Sequence, residues 1–288
     1  RYIELSSQSF SLWTVENATG FTDPDIVAKT ATQSFDKLSD ALKAAVDGDT
    51  VTVLQNCTMP QMELKGKNIT LDLNNHTVTA ESDLTFLLKW GKLTVKNGSV
   101  AGKDIPFAVY GSPLDNAGAD YSVLTLNGVN VTADNLAVAV FGVNFAPWNP
   151  KNTIEGAYGA VVNVNNSNLT APSGMTIVGS VKGTTGNVPQ FNIANSTIAA
   201  KAGIGIYGAG YAAWTINGGS ITGDTAIYAK AGTFDITGTT ITGTGDYAEP
   251  TDRGNGADAT GDAIVMDTNT GYGGILTLLL TNSTVKSE

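Results

Sequence analysis

A ten-residue phrase recurs along the chain, never identically, and it limits the fold more than any other feature. It reads LDLNNHTVTA at 71–80, LTVKNGSVAG at 93–102, LTLNGVNVTA at 124–133 and VNVNNSNLTA at 162–171. It returns as FNIANSTIAA at 191–200, WTINGGSITG at 214–223, FDITGTTITG at 234–243 and LLLTNSTVKS at 278–287, and VTVLQNCTMP at 51–60 is a degraded copy. The shared form is apolar, any, apolar, any, Asn or Gly, two variable residues, apolar, then two small or polar residues. The fifth position holds Asn75, Asn97, Gly128, Asn166, Asn195, Gly218, Gly238 and Asn282. Asn and Gly enter the left-handed backbone region most cheaply. The phrase therefore predicts two short strands joined by a sharp bend, with positions one and three facing inward and position two outward. If Asn166 and Asn195 stack in adjacent bends, their side chains are expected to bond to neighbouring backbone.

A third strand precedes most copies: FAVYG (107–111), VAVFG (138–142), MTIVG (175–179) and IGIYG (204–208), with weaker versions AIYA (226–229) and AIVMD (263–267). The closest phrase starts lie 22 residues apart from 71 to 93, 23 from 191 to 214 and 20 from 214 to 234. Longer spacings mark loops inserted into a constant unit. Repetition at such a period points to a parallel solenoid in which like residues stack about 4.8 Å apart, with about nine coils over roughly 40 Å. An antiparallel sandwich also alternates its residues, but it requires no left-handed Asn or Gly at one phase of every unit.

The three-strand unit with its asparagine bends resembles the right-handed parallel β-helix of the pectate-lyase-like superfamily, over about residues 49 to 288. The run FDKLSDALKAAVDGDTVTVLQN, followed by ITLDLNNHTVTA and LTVKNGSV, resembles the opening of many repetitive bacterial surface proteins, over about residues 34 to 100. The expected fold is thus all-β, a single-stranded right-handed parallel β-helix with a short N-terminal capping helix. Residues 1–33 read as an N-terminal arm or linker, 34–48 as the capping helix and 49–288 as coils. Ser34 is placed to cap that helix, Leu38, Ala41, Leu42, Ala45 and Val46 share one face, and Gly48 suits its stop. Such a helix would plug strand edges that would otherwise aggregate. The last phrase, TNSTVKSE, has no evident cap after it, and the chain starts at Arg1, so it reads as a mature or excised piece of a longer protein.

The formal net charge is −10 over 288 residues. An acidic surface repels phosphate backbones, which argues against nucleic acid as a partner. Arg1 and Arg253 are the only arginines and Cys57 the only cysteine, so no internal disulfide forms. No apolar run has the length of a membrane span, and membrane insertion by this segment is not expected. Asn-x-Ser/Thr sequons at Asn17, Asn130, Asn168 and Asn195 follow from the grammar of the repeat.

Three long loops, 111–123, 142–161 and 244–262, flank the face made by the third strands. The superfamily resemblance implies carbohydrate binding in a groove on that face. Its lyases place an Arg or Lys base there, often with calcium carboxylates, and its hydrolases use clustered Asp. Here the outward positions read Ala108 and Tyr110, Ala139 and Phe141, Thr176 and Val178, Gly205 and Tyr207, and none of them serves the acid–base work of polysaccharide cleavage. Asp267 stands at a strand end and Arg253 in a loop. His76, in a bend, reads as structural rather than as a base. Catalytic and metal-ligating residues are therefore not assigned, and no cofactor is implied, although the acids Asp246, Glu249, Asp252, Asp258, Asp262 and Asp267 leave calcium open.

The aromatic residues are the candidate ligand site. Tyr110, Phe141 and Tyr207 occupy the same outward phase, Trp148 and Tyr158 lie in the long loop, and Tyr211 follows Tyr207. Exposed stacked rings would bind sugar faces or a protein surface; rings under a loop would only pack it. The expectation is a non-catalytic, adhesin-like module, extracellular or on the cell surface, that meets glycan or a host or cell-surface protein. A carbohydrate-active enzyme and a structural stalk are the alternatives, and fold alone does not choose among them.

Overall fold

The computed structural model describes residues 25–111, 122–141, 159–172, 175–179, 188–250, 256–267 and 275–288. Among the described residues the fold is all-β apart from one helix, and the strands form two mostly parallel sheets. Each half of the phrase pairs in parallel with the same half of the neighbouring copies. The third strands pair with one another in a separate eight-stranded sheet. One column of paired residues runs Ile69, Leu93, Leu124, Val162, Phe191, Trp214, Phe234 and Leu278. The main apolar core draws alternate residues from both sheets, among them Leu71, Val95, Phe107, Val140, Ile206 and Ile236. Each fully buried side chain of this kind contributes roughly 1.5–3 kcal/mol relative to exposure.

The bends behave as the fifth position predicts. All eight residues there have positive φ, from 48° at Asn282 to 68° at Gly218. In the copy at 71–80 the first strand is out of step by two, because Leu71 pairs with Val95 while Val78 pairs with Val100. The two extra residues are taken up in a wider bend, where Asn74 is left-handed as well as Asn75.

The stacking role expected of the asparagine side chains passes to the next residue. Asn166 and Asn195 are exposed, whereas Ser167 and Ser196 are buried. Ser196 Oγ accepts from Ser167 N at 3.1 Å and donates to Ala194 O at 2.8 Å, and Ser167 Oγ accepts from Val129 N at 3.1 Å. Thr239 and Ser283 repeat the pattern, Thr239 N donating to Ser283 Oγ at 3.2 Å. A hydroxyl at the sixth position thus pairs with an amide that the bend removes from the sheet ladder. Replacing Ser196 by alanine leaves the Ser167 amide without that partner, and the expected loss is roughly 1–3 kcal/mol. Chemical denaturation reads it; an unchanged midpoint would mean that water takes the place of the hydroxyl.

The N-terminal region departs from expectation in two respects. The helix spans only Leu38–Ala44, its N-cap is Lys37, and no side chain caps it. Ser34 is not the cap because Ser34–Phe35 is extended and pairs antiparallel with Ala28–Lys29. Ala28–Lys29 also pairs antiparallel with residues of the strand Thr50–Val53, and Ala28 lies in the core. The ordered fold therefore begins before residue 34. Leu38, Ala41 and Leu42 bury the helix face against these first strands, and Gly48 (φ 88°) turns the chain after it.

Candidate functional site

The outward side of the eight-stranded sheet carries a second apolar cluster rather than an open aromatic surface. Leu87, Ala108, Tyr110, Ala139, Phe141, Tyr207, Tyr228 and Val265 belong to it, and Leu136, Ala257 and Ala259 pack against it. Tyr110, Phe141 and Tyr207 are 5%, 2% and 2% exposed, so they do not present free faces to a ligand. Nor do the three form one column. Tyr110 pairs with Phe141, their ring centroids 5.9 Å apart. Tyr207 pairs instead with Val178 and Tyr228, two positions nearer the strand start, and its ring meets Tyr228 edge-on at 6.1 Å. Rings this large stabilise chiefly by burial, and a satellite core under loops gives them that. Tyr211 is half-buried. Trp148 and Tyr158 lie outside the described residues.

A different aromatic residue is presented at the margin of this face. Trp90 follows the strand Leu84–Lys89 and is only partly buried. Its φ of 54° is one that bulky side chains rarely adopt, and one residue beyond the register Lys65–Lys89–Tyr110 the neighbouring strands carry Gly66 and Gly111. Its amide donates to Ser122 Oγ at 2.9 Å and its indole N–H to Gly111 O at 3.4 Å. The Lys65 ammonium lies 5.0 Å from the Trp90 ring and the Lys89 ammonium 5.1 Å from the Tyr110 ring. Lys89 is held by Glu63 at 2.7 Å. Burial, then the Glu63 carboxylate, pushes the Tyr110 phenol above its ordinary range, so it stays protonated at neutral pH. The corner thus combines one accessible indole with fixed charges of both signs. The one signal in the sequence is KWGKL at 89–93, a tryptophan at a turn where the neighbouring units carry Gly66 and Gly111.

Two acids near the other end of the sheet are engaged. Asp267 accepts from Tyr228 OH at 2.8 Å, and Asp262 accepts from Thr260 Oγ1 at 2.8 Å. Thr260 N donates to Thr225 Oγ1 at 2.7 Å, and the buried Lys230 donates to Gly256 O at 2.7 Å. These contacts tie residues 256–267 onto the sheet. No group of three or more His, Cys, Asp or Glu side chains able to hold a metal ion occurs among the described residues. Asp252 and Arg253 lie outside them. His76 is half-buried in its bend.

A cleft of about 840 Å³ lies beside the helix, lined by Asp36, Asp40, Lys43, Asn56, Cys57 and Glu81 among others. Within it Lys43 pairs with Asp40 at 3.4 Å, and Glu81 accepts from the Thr58 hydroxyl. Burial pushes the Cys57 thiol up to about 11, so it is no nucleophile at neutral pH. No helix among the described residues is long and apolar enough to cross a membrane. Comparison with protein-family models, with curated proteins and with solved structures finds no match to the chain.

Proposed function

We propose that the chain is a single-stranded right-handed parallel β-helix of about nine coils that serves as a non-catalytic binding module of an exported bacterial surface protein, holding glycan at the Trp90 corner. The parallel in-register pairing of like strands and the left-handed bend at one phase of every phrase support the fold. The resemblance of residues 34 to 100 to the opening of repetitive surface proteins supports the setting outside the cell.

One observation carries the binding role. A bulky, half-accessible indole is held at φ 54° in a turn that glycine would make without strain. Strain in a sparsely populated region costs on the order of 1–3 kcal/mol and persists where the surroundings enforce it. An indole offers a flat apolar face to a sugar ring, and Glu63, Lys65 and Lys89 supply hydrogen-bonding groups around it. Catalytic cleavage would need an acid–base group free to reach the substrate; Glu63 at this corner is paired with Lys89 at 2.7 Å, and Asp267 and Asp262 accept from Tyr228 and Thr260.

Trp90→Gly separates function from folding. Glycine accepts the backbone conformation, so thermal stability is expected to stay near wild type while affinity for a glycan found on an array falls at least about tenfold. Thr125→Ala, on a different sheet face, should leave glycan affinity unchanged. Unaltered glycan binding by the glycine variant would sink the assignment. Release of reducing or unsaturated sugar ends from the same glycan would replace the binding module with an enzyme.

A further inference from the structure

We infer that the sugar held at the Trp90 corner carries a tetrahedral oxyanion ester, sulfate or phosphate, and that Lys65 and Lys92 read it. This rests on the corner being a glycan site and names the class of glycan. Its basis is a local reversal of charge. The chain has 26 acidic against 16 basic residues, yet the turns KGKN at 65–68 and KWGK at 89–92 hold four lysines and no acid. The two turns stack on one another. Lys65 pairs with Lys89 across parallel strands, Gly66 N donates to Lys89 O at 3.1 Å, and Lys92 N donates to Lys67 O at 2.9 Å. Like charges directly opposite on neighbouring strands repel, so the fold holds them together at a cost that an anion would relieve.

The four ammoniums differ in what they meet. Lys67 donates to the carbonyls of Lys43 and Ala45, both at 2.8 Å, at the end of the helix Leu38–Ala44. Lys89 is held by Glu63 at 2.7 Å. Lys65 and Lys92 are exposed, and neither forms an ion pair among the described residues. The Lys65 ammonium lies 5.0 Å from the centre of the Trp90 ring, so a positive charge stands beside the stacking surface before any ligand arrives. Lys92 follows Trp90 by two residues in the same turn. Two such ammoniums beside one indole favour an anionic sugar over a neutral one. Their chemistry selects further. An ammonium is a point donor with three N–H bonds, which suits oxygens spread around sulfur or phosphorus. A planar carboxylate is matched best by the fork of a guanidinium, and no arginine belongs to these turns. The acidic balance of the whole chain does not reverse this, because exposed charges farther than about 8 Å are largely screened at physiological salt.

The test is an array of galactose, glucose and N-acetylglucosamine oligosaccharides, each unsubstituted, O-sulfated, O-phosphorylated and oxidised to the uronate, probed with the 288-residue chain. Dissociation constants are then measured for the four forms of the best-bound sugar. One of the esters should bind at least about fivefold more tightly than the unsubstituted and uronate forms, and about 0.5 M salt should remove the gain. Whichever ester leads identifies the group. Lys65→Gln combined with Lys92→Gln should erase the gain while leaving affinity for the unsubstituted sugar within about twofold of wild type. Lys103→Gln, which removes a charge from a turn between other strands, should keep the gain. Should the double variant misfold, the salt dependence of the wild-type chain decides. Equal affinity for all four forms, a gain that survives the double variant or high salt, or a uronate bound as tightly as the better ester would each overturn the ester and leave the corner a glycan site. Binding to no printed sugar, or binding untouched by Trp90→Gly, would instead overturn the glycan site and the ester with it.

Discussion

Trp214→Ala is expected to lower the unfolding free energy by roughly 3–5 kcal/mol, one of the two largest effects predicted here for a single side chain. The indole is buried and sandwiched between rings of adjacent coils. Phe191 lies 3.8 Å away and Phe234 5.3 Å away, centroid to centroid, with the planes within 6° and 5° of parallel. Alanine would remove both stacking contacts, each worth about 0.5–1.5 kcal/mol beyond area, and open a cavity that neighbouring backbones in register cannot close. Trp214→Phe tests the cause. It keeps a ring in the stack and removes an indole N–H that finds no hydrogen-bond partner among the described residues. An orphaned buried donor costs roughly 1–3 kcal/mol, which offsets the lost volume, so the Phe variant should stay within about 1 kcal/mol of wild type. Urea midpoints at constant slope are the measurement. Equal losses for Ala and Phe would show that the stack contributes little.

Gly219→Ala should lower stability by at least about 3 kcal/mol, whereas Gly238→Ala should cost only about 1–2 kcal/mol. Both glycines have positive φ, 76° and 61°, and both sit in bends of neighbouring copies. They differ in what a β-carbon would meet. At Gly219 it would lie 2.1 Å from the Ser196 carbonyl oxygen and 2.6 Å from the Ser196 nitrogen; at Gly238 nothing lies within 4 Å. The obstacle at Gly219 is backbone, the Ser196 carbonyl being held by the Ser220 amide at 3.0 Å, so it cannot yield as a flexible side chain would. Gly238→Asn adds a control. Asn195 and Asn282 hold the same phase at φ 49° and 48°, and the change should be within about 0.5 kcal/mol. Thermal unfolding of the three variants orders them; similar losses for Gly219→Ala and Gly238→Ala would remove the close approach as the cause.

The bends and the inward columns were legible because their causes are local. A left-handed residue must be one that tolerates φ > 0, and Asn97, Gly128, Asn195 and Gly238 declare it whatever surrounds them. The inward side of a strand must be apolar, and Leu124, Leu126, Phe191 and Ile193 declare that by alternation. The sixth position escaped notice because its rule lies between coils. Ser196 bonds the Ser167 amide, while at Gly219 the Ser196 carbonyl lies too close for any β-carbon, so one site reads as serine or glycine according to its neighbour. The burial of the candidate rings is hidden from the sequence for a related reason. Alternation places Tyr110, Phe141 and Tyr207 outside the sheet, but it carries no information about what then covers them. Trp90 stands just past the strand Leu84–Lys89, outside the alternation that marks the strand faces.

The sequence by itself determined that this chain folds as parallel strands with a bend at one phase, and which residues face the core. Only the tertiary structure decided the register. Leu71 pairs with Val95 rather than Leu93, and Tyr207 with Val178 and Tyr228 rather than in the column of Tyr110 and Phe141. Both departures are slips of two residues. Strand side chains alternate with period two, so a slip of one would turn every apolar residue outward, while a slip of two leaves the pattern unchanged. Hydrophobic periodicity therefore specifies which face each residue takes, and only contacts between coils, made by bends, hydroxyls and stacked rings, select among the registers it permits.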